Sequence, residues 1–277
     1  MRPTRIVAVV HRGRADAPEA IETLRQWCAR RGVELSMIDL GDPTLPVEPD
    51  ESTLALSMGG DGTFLHTARL VAAHATPILG INLGSLGFLT QTGTESLEQA
   101  LDQVWHDRIA VEPRLRLQAA VRDHAASALN DVVISRPDVN TTTSIDLYRG
   151  ADTFVGRYPG DGLILSTPSG TTAYSLACGG PIVDPTLDCV TVTPLNAHRI
   201  SLRPLVLPPD VELTAELHRS GWLVLDGEKH ARLEAGETVR VRRAADDTRM
   251  IVLDDRLGFV DLLSKKLGWS WGYPGTG

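Results

Sequence analysis

The chain has 277 residues, 42% of them hydrophobic and 22% charged, a composition that excludes disorder or a fibre. At about 100–200 residues per domain it holds one large domain or two modest ones, with enough buried surface to fold without disulfides or a structural metal. Its 27 Lys+Arg against 35 Asp+Glu leave a net charge of −8, which argues against a general nucleic-acid binder because phosphate backbones select basic surfaces.

Residues 1–110 read as alternating strands and helices. The apolar run 6–10 is followed by Ile21, Leu24 and Cys28 at helical spacing, then by strand candidates at 33–38 and 53–58. After Gly59-Gly60-Asp61-Gly62, residues Phe64, Leu65, Ala68, Val71 and Ala72 form the stripe of an amphipathic helix. A strand at 77–81 and a helix at 95–106 complete a pattern that implies parallel βαβ units, a Rossmann-like α/β domain. Residues 111–277 lose the helical period. Short alternating runs at 115–121, 132–134, 145–147, 190–192, 211–217, 223–225 and 239–241 are separated by Pro and Gly turns, and predict an antiparallel β-rich domain with one helix starting near Thr171. The last ten residues, 268–277, are either a frayed tail or a segment docked on a neighbour, the first domain included.

Cys28, Cys178 and Cys189 form no CxxC pair and suit a reducing compartment. No apolar run approaches the roughly 20 residues that span a bilayer, and no signal-peptide core opens the chain, so a cytoplasmic protein is expected. Lysine occurs only at 229, 265 and 266, none of them inside GxxxxGK[ST] or on a VAIK strand. GxGxxG, HExxH and zinc-type Cys/His spacing are absent as well.

Four stretches could carry chemistry. Ser57–Phe64 is a glycine-rich turn between strand and helix: its glycines let backbone approach a ligand, the helix start offers free amides to an anion, and Asp61 could orient or deprotonate a hydroxyl there. The same turn also reads as an ordinary connection with Asp61 as helix cap. Residues 160–181, GDGLILSTPSGTTAYSLACGGP, combine an acid with a dense set of hydroxyl and amide donors suited to a polyhydroxyl, phosphate-bearing ligand. Asn130-Asp131, opening an apolar strand, could hold ribose hydroxyls or simply form a turn. Gly84–Leu89 is either a ligand wall or a loop with Phe88 in the core. Asp254-Asp255 is rejected as a metal clamp, since neighbours on a strand face opposite ways.

Together, GGDGTFL at 59–65, the Asn-Asp pair, the long motif at 160–181, Asn196-Ala197-His198 ahead of Arg203-Pro204, and the late Asp226-Gly227 resemble the NAD kinase family. GGDG alone is shared with phosphofructokinases and with diacylglycerol and sphingosine kinases. The resemblance implies transfer of the γ-phosphoryl of ATP, or of polyphosphate in some members, to the 2′-hydroxyl of the adenosine ribose of NAD, giving NADP, with Mg²⁺ as the expected cation. It makes Asp61 the general base with Gly62 beside it, and places His66 next to NAD. Asn130 and Asp131 match the pair that binds ribose and phosphate, and Asp161 the acid at the nicotinamide end. Ser169 and Thr172, Ala173, Tyr174, Ser175, Leu176 and Ala177 match the segment around adenine and ribose. It also implies a homodimer or homotetramer.

Two positions depart from the pattern: Pro159 stands where some members carry an arginine, with Arg157 nearby, and Glu228 follows Asp-Gly where Gln is frequent. The rival readings are a lipid kinase sharing GGDGT, which would want an apolar groove or membrane surface, and a non-catalytic NAD-binding regulator, which would be expected to lose Asp61.

Overall fold

The computed structural model describes residues 2–150 and 152–269 and divides into two compact units. One comprises the chain up to Glu112 together with the stretch from Arg249 onward; the other runs from Pro113 to Thr248. The division is therefore not the contiguous one at 110/111 expected from periodicity, because the C-terminal stretch returns to the first unit. From residue 270 on, the expected tail lies outside the described residues.

The first unit begins with Arg5–Val10 (β1), Ala17–Arg31 (α1), Glu34–Asp39 (β2), Thr53–Gly59 (β3), Asp61–Leu70 (α2), Ile78–Asn82 (β4), Thr92–Gly93 (β5), Leu97–Trp105 (α3) and Ile109–Arg114 (β6). Strand order is β2-β1-β3-β4, all parallel, so the winding direction reverses between β1 and β3. Ligands of open α/β sheets bind beyond the carboxyl ends of the strands at such a reversal, which is where β3 delivers its glycine turn. Every residue of β3 and β4 is buried, which explains why both read as unbroken apolar runs instead of alternating ones. Helix α1 opens with Pro18 and Glu19, closes with Arg30 and Arg31, and stops at Gly32 in the left-handed region. Its Leu24 and Trp27 are fully buried, and the Trp27 indole donates to Asp102 of α3 at 2.7 Å.

The second unit contains Leu117–Val121 (β7), His124–Ala128 (β8), Asp131–Ser135 (β9), Thr143–Arg149 (β10), Thr153–Gly160 (β11), Gly162–Ser166 (β12), Tyr174–Ala177 (α4), Val190–Leu195 (β13), Leu205–Leu207 (β14), Leu213–Leu217 (β15), Gly221–Leu225 (β16), Glu228–Leu233 (β17) and Thr238–Arg243 (β18). They form two six-stranded sheets, β11-β10-β15-β18-β7-β8 and β14-β13-β12-β9-β16-β17, around a shared core that includes Leu117, Val132, Ile134, Ile145, Leu165, Val192, Leu213 and Leu223. Since side chains alternate along a strand, Val132 and Ile134 take the core side of β9. Asp131 and Val133 then face outward, and Val133 joins Ile164 and Leu195 in a small cluster beneath Cys178. The chain goes back to the first sheet through Thr248–Leu253 (β19), which pairs parallel with β4, and ends its described part in Phe259–Leu267 (α5). Among the described residues no helix is long and apolar enough to cross a membrane.

The single helix expected near Thr171 is in fact two short pieces. Ser169–Thr172 is a 3₁₀ turn and α4 is one turn of four residues, with Ala173 between them at φ −98°, ψ −128°. The physical reason is local competition: the Thr171 hydroxyl donates to the Pro168 carbonyl at 2.7 Å and accepts from the Val183 amide at 3.1 Å, tying the backbone into a turn.

Candidate active site

Two polar clusters stand out, one in each unit. In the first, Gly60 is the N-cap of α2 and Asp61 its first residue, with no side-chain cap hydrogen bond. The carboxylate is instead held from outside the helix. The amide of Phe88 donates to Oδ2 and that of Leu89 to Oδ1, each at 2.9 Å. Asp61 is therefore not a helix cap, and the Gly84–Leu89 loop is neither a plain ligand wall nor a plain core loop: its backbone cradles the acid. A Cβ at Gly87 would collide with the Asp61 carboxylate, and one at Gly59 with the Thr63 side chain, so both glycines are required by close approach. A carboxylate has about four lone-pair positions, so one amide on each oxygen leaves it able to accept another proton donor. Asp61 is half-buried and Gly62 exposed at the helix start.

His66, one turn further along α2, is 8% exposed with Nε2 3.0 Å from the Asp42 carbonyl oxygen. Burial lowers its pKa, so the ring is neutral near pH 7.

In the second unit Asn130 and Asp131 are both buried at the start of β9. The structure adds a partner, Asp226, which the sequence marked as part of a late motif but with no role for its side chain. Asp226 and Gly227, both at positive φ (48° and 83°), form the two-residue connection of the β16–β17 hairpin, the geometry that Asp-Gly favours. The Asp226 carboxylate then accepts the amides of Leu129 at 2.8 Å, Asn130 at 2.7 Å and Asp131 at 3.2 Å. On the other side the Thr167 hydroxyl donates to the Leu129 carbonyl at 2.6 Å and the Thr167 amide to that of Asn130 at 2.9 Å. A Cβ at Gly170 would strike the Asn130 carbonyl. The backbone of the Asn-Asp pair is thus fixed from both sides, while the Asn130 side-chain oxygen is buried with no hydrogen-bond partner among the described residues. Buried polar atoms are rarely left unpaired, and this one is free to accept a donor.

Burial, and then the Asp226 charge, push Asp131 up to about 7. Burial also raises Asp226, against the pull of its three amides and Arg116. With three N–H donors, Asp226 is the better holder of negative charge, and Asp131 is the one that takes a proton. An acid whose folded pKa is raised adds stability below its ordinary value near 4 and loses it as pH rises through about 7. Asp131→Asn should therefore flatten the fall in unfolding free energy between pH 4 and 8, an effect on the order of a few kcal/mol in urea titrations. An unchanged slope would mean that Asp131 stays ionised throughout.

The remaining candidates lie on the 160–180 stretch. Asp161 pairs with Arg136 at 2.9 Å and accepts from the Asn196 side chain at 3.3 Å. Arg157 does not serve it: that guanidinium grips Asp146 with two hydrogen bonds of 2.6 Å. Arg136, which the sequence did not single out, is the arginine paired with Asp161. Ser169 is buried, Thr172, Ala173 and Leu176 half-buried, and Tyr174 and Ala177 exposed. The Ser175 hydroxyl is turned to the sheet, 2.8 Å from Thr193 Oγ1, and the Thr172 hydroxyl donates to the Ser169 carbonyl at 3.1 Å, so neither is an idle donor. Glu228 begins β17 and is exposed. Among the described residues no three His, Cys, Asp or Glu side chains gather as a metal cage.

Residues 11–109 match the model of the ATP-NAD kinase N-terminal domain, and 129–253 that of the ATP-NAD kinase C-terminal domain. Similar curated proteins include an NAD kinase of Moorella thermoacetica, 40% identical over 82% of this chain and 76% of the relative, and one of Heliobacterium modesticaldum, 37% identical over 90% and 95%. The fold is shared with a crystal structure of yeast NADH kinase complexed with NADH, at TM-score 0.82 and 24% identity, covering 100% of this chain and 91% of that one. It is shared too with an Archaeoglobus fulgidus NAD kinase in complex with ATP, at 0.79 and 23%, covering 94% and 98%.

Proposed function

The chain belongs to the NAD kinase family of phosphotransferases, and from that premise we propose how its own residues carry the transfer of the γ-phosphoryl of ATP to the 2′-hydroxyl of the adenosine ribose of NAD. Asp61 accepts the proton of that hydroxyl. The observation that carries this role is its carboxylate, fixed by the Phe88 and Leu89 amides with acceptor capacity to spare. A secondary alcohol is far too weak an acid to ionise at neutral pH, so the attack depends on alignment and on an acceptor in place as the O–P bond forms. Gly62 and the free amides at the start of α2 suit the phosphates.

Asn130 and Asp131 bind ribose and phosphate, the unpaired Asn130 oxygen taking a ribose hydroxyl. Asp161, oriented by Arg136, receives a donor at the nicotinamide end, and the Ser169–Ala177 stretch encloses adenine and ribose, with Ser175 and Thr172 holding its shape. His66 lines the NAD site as a neutral ring. Mg²⁺, which the reading implies, would need no all-protein cage, since such an ion is commonly held through substrate phosphates and water. Bound there, it would supply neutralisation of charge on the transferring group. A cytoplasmic setting, supported by three free thiols, and a homo-oligomeric state complete the reading.

The test incubates the pure protein with Mg²⁺-ATP and NAD and reads NADP through an NADP-specific dehydrogenase. NADP that requires both substrates is expected. Silence with ATP, with polyphosphate and with NADH as acceptor would leave a non-catalytic NAD-binding protein.

A further inference from the structure

The loop that cradles Asp61 is itself held. Lys266, in the last turn of α5, donates from Nζ to the Leu86 carbonyl at 2.6 Å, and the same ammonium lies 5.1 Å from the centre of the Phe88 ring. Both contacts fall within one short loop, on either side of Gly87, whose missing Cβ leaves the space that the Asp61 carboxylate occupies. One residue further on, Phe88 and Leu89 turn their amides to the two carboxylate oxygens. The helix carrying the lysine belongs to the first unit, as do the loop and Asp61, although about 180 residues of chain separate Lys266 from Leu86.

The geometry points to Lys266 as a positioning residue for phosphoryl transfer: it latches the Leu86–Leu89 loop and so fixes the direction in which Asp61 presents its free lone pairs. This rests on Asp61 being the base. The chemistry favours a lysine here. A carbonyl oxygen and a ring face both attract a cation, and an ammonium has three donors to divide between the carbonyl and water. Removing it leaves the carbonyl to solvent and the loop with one tie fewer. The two amides then no longer hold the carboxylate in one orientation. Since Lys266 is exposed and reaches Asp61 only through the Leu86 carbonyl and the Phe88 ring of the loop, its loss should act on the chemical step and not on binding or folding.

The experiment is steady-state kinetics of the full chain with Mg²⁺-ATP and NAD for Lys266→Met, Lys266→Arg and Asp61→Asn, with thermal melts of each. Lys266→Met should lower kcat by about 10- to 100-fold, the range set by misplacing a reacting group by an ångström or less, while KM for NAD stays within about twofold. Lys266→Arg keeps a donor and a cation for the ring and should recover most of the rate. A wild-type kcat in Lys266→Met overturns the latch, and so does a lowered melting point with kcat and KM changed together, which marks a structural role alone. Asp61→Asn separates the two ideas. A retained rate there removes the base assignment itself; an inactive Asp61→Asn beside a normal Lys266→Met removes only the latch.

Discussion

Asp61→Asn should lower kcat by about 10²- to 10⁴-fold, the range general-base catalysis supplies, and leave NAD affinity within about threefold. Two physical effects act in the same direction. The amide has no basic oxygen pair, so the 2′-hydroxyl loses its proton acceptor. An Asn side chain also points an NH₂ at one of the two amides, Phe88 or Leu89, that now donate to a carboxylate oxygen, and two donors cannot pair. Binding is spared because the ribose-binding residues proposed here, Asn130 and Asp131, are not substituted. Isothermal titration with NAD alongside initial rates separates the outcomes. A variant that keeps more than about a tenth of the wild-type rate removes Asp61 from the base role. A variant that loses NAD binding as well makes Asp61 a ligand of NAD first.

Where the sequence was readable, the reason is short range. The strand–GGDG–helix unit lies in one continuous segment, and its apolar run, glycines and helical stripe are contiguous along the chain. The hydroxyl-rich loop is contiguous too, but its shape was not readable, and the hydroxyls of Thr167, Thr171, Thr172 and Ser175 are engaged with the protein's own groups. The Thr171 bonds that break the expected helix depend on Val183, twelve residues later. The Phe88 and Leu89 amides that hold Asp61 are backbone groups, and backbone donors leave no trace in a pattern of side chains. Arg136 rather than Arg157 beside Asp161 was equally hidden, because β10 and β11 pair Arg157 directly opposite Asp146. Docking of the tail on the first domain was among the expectations, but the strand that makes the return, β19, was not, for another reason. Met250 to Leu253 are all buried, so β19 lacks the alternation that marks a half-exposed strand, and nothing local says which sheet it joins.

Asp226 shows the same gap at greater energetic cost, and its replacement should give the largest loss of stability of any site residue. Its sequence neighbours mark only a hairpin turn, yet its carboxylate satisfies three backbone amides 95 to 97 residues away. Hydrogen bonds to a charged acceptor contribute about 1.5–3 kcal/mol each, partly offset by burying the charge. Asp226→Ala leaves those amides without an acceptor in a dry site and should cost about 3–5 kcal/mol, the range for breaking a buried charged network. For a unit of this size that corresponds to a drop in melting temperature on the order of 10 °C. Asp226→Asn keeps one acceptor oxygen but aims an NH₂ at the amides, and should fall between alanine and wild type. Both variants should weaken NAD binding by about tenfold or more, because Asn130 and Asp131 lose the anchor that sets their backbone. Calorimetry and NAD titration at pH 7 provide the measurement. If Asp226→Asn melts with the wild type and binds NAD equally well, the three amide bonds contribute nothing and the site is organised from the Thr167 side alone.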